Sequence, residues 1–277
     1  MNATSQPPVE LNIIDVGCGP PVLFVHGWGM AGEVWDRQIL ALGDEYRCVA
    51  VDLRGHGASP KPMMGYDYDD HAGDLRRVIE TLELVDPVVV GWSLGGAAAT
   101  RLAATTPGIR GLVLVGAPTR FVQSADAPYG RPKEDCEAFL AAMSTRREAV
   151  MWDVVVGTLL RDPGEAVRNW LYGMSVRAPS WAVTRCYEGV LRGDIRADLR
   201  SLQIPVLVLH GVFDTYISID AARWIAGEIE SAQIVEFLES AHAPFLEETD
   251  RFNRELRAYL DRLPPAAGGA SNWTGER

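Results

Sequence analysis

The sequence predicts an α/β fold: a mostly parallel central sheet with helices on both faces and an α-helical cap inserted before the late strands. Three observations predict it. Short β-branched runs recur along the chain, each closed by turn residues. Segments with apolar residues at helical spacing separate them. The rhythm breaks once, between residues 117 and 197, where strand signals stop and only helical patterns remain. Strand alternating with helix implies βαβ units, and a wholly helical stretch inside such a chain reads as a cap.

Taken in order, ELNIID (10–15) alternates and is expected to form an antiparallel edge hairpin. PVLFV (21–25), YRCVAV (46–51), PVVV (87–90), GLVLVG (111–116), PVLVLH (205–210) and QIVEF (233–237) are continuously apolar, the pattern of strands covered on both faces. A helix is expected over 67–84, with Leu75, Val78, Ile79 and Leu82 on one face and Asp74, Arg76, Arg77 and Glu80 turned to solvent. Another is expected over 94–106, ended by Pro107. Helices near 133–146, 147–160, 164–174 and 179–191 make the cap, and one over 247–262 closes the sheet. The resulting division is a flexible start (1–9), a core from 10–118 and 195–262, a cap over 119–194, and a Pro/Gly/Ser-rich tail over 263–277 expected to be disordered.

Bulk properties narrow the function. The chain has 277 residues, 47% hydrophobic and 23% charged, as ordinary globular proteins do. Its net charge of −11 argues against nucleic-acid binding. No run of 18 apolar residues suggests a membrane span, and MNATSQPPVELN has no basic start followed by an apolar run, so a cytoplasmic location is expected. Cys18, Cys48, Cys136 and Cys186 lie far apart with no CxxC pair, and read as free thiols. Neither metal nor cofactor is expected. Residues 120–192 hold ten basic and nine acidic residues, while the remainder carries 16 and 28. A solvated mixed surface explains that asymmetry; a cap that attracts an acidic partner is the other reading.

Gly91-Trp92-Ser93-Leu94-Gly95 matches G-x-S-x-G between a strand and a helix. That context is a nucleophile elbow, a turn so tight that glycine must flank the serine. Serine needs a base, and the base an orienting carboxylate. Of five histidines, His242 lies in the loop after the last strand, where the chain can return over the elbow. His71 is expected on a helix surface, His56 and His26 in loops they brace, and His210 packed at a strand end. The carboxylate should lie between serine and histidine at a strand end, which favours Asp214 over Asp220, read as an N-cap. Oxyanion donors are expected from the backbone N–H groups of Leu94 and of Trp28 in HGWGM (26–30), with the Trp28 indole as a wall of the acyl pocket. Trp152 is a candidate for the acyl tunnel or for cap–sheet core.

HGWGMAGEVW (26–35), VDLRGHGAS (51–59), GWSLGG (91–96), HGVFD (210–214) and SAHAPFLE (240–247) together resemble the α/β-hydrolase superfamily over residues 10–262. HGWG, GWSLGG and AHAPF look most like the pimeloyl-[acyl-carrier protein] methyl ester esterases of biotin synthesis. That resemblance implies Ser93, Asp214 and His242 as a triad, Trp28 and Leu94 at the substrate oxygen, and a methyl ester on a dicarboxylate chain borne by an acidic carrier protein. Arg146, Arg147, Arg161 and Arg168 are the cap arginines available to such a carrier. A serine carboxylesterase is the leading expectation. A short-chain esterase or lactonase comes next, and a binding protein that has lost catalysis is the reading of another class.

Overall fold

The computed structural model describes residues 7–264, so most of the expected flexible start and the tail from 265 lie outside the described residues. The strands are β1 (Ile13–Val16), β2 (Pro21–Val25), β3 (Arg47–Val51), β4 (Val88–Trp92), β5 (Gly111–Val115), β6 (Val206–Gly211) and β7 (Ala232–Phe237). The helices are α1 (Asp36–Leu42), α2 (Tyr68–Thr81), α3 (Leu94–Thr105), α4 (Lys133–Gly157), α5 (Glu165–Arg177), α6 (Ser180–Arg192), α7 (Arg196–Ser201), α8 (Ile219–Glu228), α9 (Pro244–Glu247) and α10 (Thr249–Arg262). No helix among the described residues is long and apolar enough to cross a membrane.

The strands form one sheet in the order β1-β3-β2-β4-β5-β6-β7, parallel except for β1. β1 is an antiparallel edge, but its partner is β3 rather than the next strand, so ELNIID is not half of a hairpin. One apolar cluster covers each face of the sheet. β2 has β3 on one side and β4 on the other, so the chain reverses direction across the sheet there. Loops leaving β2 and β4 diverge at such a point and open a crevice at the strand C-termini.

On the polar side of α2, Arg76, Arg77 and Glu80 are exposed as expected, but Asp74 is not. Asp74 is fully buried and accepts from Arg54 Nε at 2.5 Å, Arg54 Nη2 at 2.6 Å and Val9 N–H at 2.6 Å. Val9 is thereby tethered rather than flexible. His71 is also fully buried, with Nε2 3.7 Å from Cys186 Sγ on α6. Both corrections have one cause. The loop after β3 and the cap pack onto the face of α2 that its own sequence marks as exposed. All four cysteines are free.

The two expected cap helices, split at 146/147, meet within α4 at a kink, where Arg146 has non-helical backbone (φ −145°, ψ 44°). Residues 117–197 hold isolated bridges and no strand, as the pattern predicts. Leu263 still packs in the core, so ordered chain continues past 262.

Candidate active site

The elbow is set by sterics. Ser93 sits at φ 54°, ψ −118°, between the last residue of β4 and the first of α3. Such backbone costs a non-glycine residue about 1–3 kcal/mol and persists only where its surroundings force it. Here they do. Ser93 N–H donates to Val115 O at 2.8 Å, extending the β4–β5 pairing into the turn. A Cβ on Gly91 would lie 2.4 Å from Gly95 O, and one on Gly95 would lie 2.4 Å from Val25 O. Only glycine lets strand and helix approach so closely, and the approach lifts the serine clear of the sheet. Leu94 opens α3, so its N–H belongs to the first turn, which has no intrahelical acceptor.

The loop after β2 supplies the opposite bank. Gly27 O accepts from Met30 N–H at 3.2 Å, which puts Trp28 and Gly29 at the corner of a turn. Gly29 has φ 75°, the value a type II turn requires at its third residue. His26 braces this loop: Nδ1–H donates to Gly27 O at 2.7 Å while Nε2 accepts from Leu53 N–H at 2.9 Å. Burial lowers its pKa, against the opposing pull of the Gly27 bond and Asp52. His56 is held down to about 3, chiefly by burial, and donates from Nδ1 to Arg54 O at 3.0 Å.

His242 Nδ1–H donates to Asp214 Oδ2 at 2.6 Å. Asp214 is buried, and its other oxygen accepts from Tyr216 N–H at 2.8 Å and Ile217 N–H at 3.0 Å. Burial pushes the Asp214 pKa up. The charge and hydrogen bond of His242, His210 and the Ile217 N–H outweigh it and hold the carboxyl below its ordinary value. His210 packs beneath, donating from Nε2 to Ile217 O at 2.9 Å. Asp220 is elsewhere: it lies in the first turn of α8 and pairs with Arg223 at 3.3 Å. The N-cap of α8 is Ser218, whose hydroxyl accepts from Asp220 N–H at 3.2 Å.

Ser93, Leu94, Trp28 and His242 line one cavity of about 100 Å³. Its remaining walls include Phe121, Phe139, Val154, Tyr187, Val190 and Tyr216, and are mainly apolar. The Trp28 indole faces Phe139 and Tyr187 edge-on, with centroids 5.7 and 5.9 Å away, and its Nε1–H donates to Val183 O of α6 at 2.9 Å. Trp152 is not among the lining residues. It is 36% exposed and meets Tyr172 edge-on at 5.3 Å. Helical phase explains this: Met151, Val154, Val155 and Thr158 take the inward stripe of α4, and position 152 falls beside it. Neither expected place for Trp152, tunnel or core, is the one it occupies.

Several contributors have no motif of their own. Trp92 is 2% exposed, donates from Nε1 to His242 O at 2.8 Å and lies tilted against its ring at 5.4 Å, so it holds the histidine loop as well as packing. Glu247 accepts from Ala241 N–H at 2.7 Å and from Leu160 N–H at 2.5 Å, joining that loop to the end of α4. His242 N–H donates to Thr158 O at 3.0 Å across the same junction. The only sequence signal for Trp92 is its place beside the serine; for Glu247 there is none.

The cap arginines are engaged. Arg146 lies 3.9 Å from Asp153 and Arg161 3.3 Å from Glu239, while Arg168 pairs with Asp162. Arg147 donates to the carbonyls of Val176 and Ala178. Among the described residues no group of three His, Cys, Asp or Glu is arranged to hold a metal ion.

A family model described as the alpha/beta hydrolase fold matches residues 20–249. A non-heme chloroperoxidase of Kitasatospora aureofaciens is 32% identical, covering 94% of this chain and 98% of that protein. A pimeloyl-[acyl-carrier protein] methyl ester esterase of Chromobacterium violaceum is 30% identical, covering 91% and 99%. An esterase of Exiguobacterium antarcticum superimposes with a TM-score of 0.89 at 26% identity, covering 92% and 100%.

Proposed function

This chain belongs to the α/β-hydrolase family, and on that premise we propose that it is a serine carboxylesterase with Ser93, His242 and Asp214 as its triad. The observation that carries the reading is the Asp214–His242 pair at 2.6 Å facing a cavity that Ser93 also lines. His242 has Nδ1 committed to Asp214, which leaves Nε2 as the proton acceptor. Ser93 Oγ attacks the ester carbonyl and gives its proton to His242. The imidazolium is stabilised by the carboxylate that Asp214 keeps ionised. The carbonyl oxygen, now an oxyanion, receives the N–H groups of Leu94 and Trp28. His242 then protonates the departing alcohol, leaving an acyl-enzyme on Ser93. Water, deprotonated by the same histidine, attacks that acyl group and releases the acid.

The substrate reading has two tiers. The apolar, aromatic cavity supports a small carboxylic ester, a methyl ester among them, with the acyl chain along Phe139 and Tyr187. The Chromobacterium relative supports a pimeloyl methyl ester on an acidic carrier protein. Against that finer reading, Arg146, Arg161 and Arg168 already face carboxylates, which offsets the positive charge a carrier would seek.

The test is turnover of p-nitrophenyl butyrate by wild type and Ser93→Ala, with halide-dependent halogenation assayed beside it because of the chloroperoxidase relative. Ester turnover that vanishes with Ser93 supports the reading; equal rates in the two proteins overturn the nucleophile assignment. Hydrolysis of the pimeloyl-carrier methyl ester at a higher kcat/KM than free methyl esters supports the carrier substrate, and the reverse removes it.

A further inference from the structure

We propose that Arg131 selects ester substrates bearing a second, ionised carboxyl group, such as monoesters of dicarboxylic acids, by receiving that carboxylate across the cavity from His242. The inference rests on the ester-hydrolase reading above and adds the class of substrate.

Among the described residues lining the cavity, Arg131 is the one with a permanent positive charge, set among aromatic and aliphatic walls. Tyr216 neighbours both it and His242. The Tyr216 ring centroid is 5.3 Å from that of His242 and 6.0 Å from the guanidinium carbon of Arg131. Arg131 therefore borders the same enclosure as Ser93 and His242.

Its neighbours show what is unusual about it. Arg120 lies 3.8 Å from Asp194, and Arg196 meets Asp194 at 2.7 Å and Asp126 at 3.0 Å. No carboxylate of the described residues comes within ion-pair distance of Arg131. Its Nη1 donates to Thr215 O at 3.1 Å, one bond for a group with five N–H donors in a fork that matches a carboxylate. The backbone fixes where the side chain starts: Arg131 N–H donates to Phe121 O at 2.8 Å, and Gln123 N–H donates to Arg131 O at 2.8 Å. The positive charge also reaches Tyr216 and Tyr187, opposing the burial that raises both phenols. A half-buried, positioned cation without an anion, beside an apolar cavity, is a receptor for a charge that the substrate brings.

A merely structural role is the rival, since Arg131 also holds the 214–217 loop through Thr215. A ratio separates the two. The measurement is kcat/KM for monomethyl esters of the C4 to C10 dicarboxylic acids and for the matching neutral dimethyl esters, with wild type, Arg131→Gln and Arg131→Lys. The wild type is expected to prefer the monoester at one or two chain lengths, by about tenfold or more, the size of one charge-assisted pair. Arg131→Gln should abolish that preference whatever it does to both rates together, and Arg131→Lys should keep part of it. A wild type that favours the diester at every length, or a preference unchanged in Arg131→Gln, overturns the proposal while leaving the esterase reading intact. Absence of Ser93-dependent turnover of any ester, neutral ones included, overturns both.

Discussion

The floor of the cavity and its roof are built by different physics. The floor (Gly27, Ser93, Leu94 and His242) comes from the ends of strands β2, β4 and β7, where backbone hydrogen bonds and close approach leave one arrangement. The roof (Phe139, Val154, Thr158, Tyr187 and Val190) comes from α4 and α6 and is shaped by side-chain packing. Polar ties between the two include Trp28 to Val183, Tyr216 to Val154, and His242 to Thr158. On the esterase proposal, the difference would give chemistry to the part held by backbone hydrogen bonds and substrate choice to the part held by side-chain packing.

The largest effect should come from the floor. Asp214→Asn leaves the shape but puts the wrong tautomer on His242, and kcat for p-nitrophenyl butyrate should fall about 10⁴-fold. A loss under tenfold would break the assignment. Gly95→Ala should destabilise the fold by about 3 kcal/mol in denaturant melts, because its Cβ would lie 2.4 Å from Val25 O. Gly173, inside cap helix α5, meets nothing within 4 Å, so Gly173→Ala should instead stabilise by up to about 1 kcal/mol.

Acid should act through buried histidines that lie outside the cavity lining. His56 is held at about 3 when folded, and burial lowers His26 and His71 too. Below the ordinary histidine value of about 6.5 the unfolded chain takes up protons that the folded chain refuses. Stability is therefore fully present above about pH 6.5 and lost as pH falls toward 3, by up to about 1.4 kcal/mol per pH unit for each such histidine. Denaturant midpoints at pH 7, 6 and 5 check the direction. In the roof, Phe139→Ala should cut kcat/KM by about tenfold for a medium-chain ester. Trp152→Ala, outside the cavity, should change it by less than about twofold.

Legibility in the sequence follows the same line. Strands β2 to β7 and the elbow were readable because continuous apolar runs and flanking glycines answer to local constraints. The pairing of Asp214 with His242 was readable because a strand end fixes where a loop residue can go. What failed depended on partners distant in sequence. Asp74 and His71 look solvent-facing on α2 alone, and only Arg54 and α6 bury them. Trp152 and its inward neighbours Met151, Val154 and Val155 are all apolar, so composition cannot say which side faces the cavity. Arg131 is one arginine among 24, and only the cavity distinguishes it.

The most direct test of the central claim is active-site labelling. Wild type and Ser93→Ala would be incubated with a fluorophosphonate, then digested and mapped by mass spectrometry. The account predicts one stoichiometric adduct, on Ser93, formed with loss of esterase activity and absent from the variant. An adduct on another residue, or equal labelling of Ser93→Ala, would contradict it.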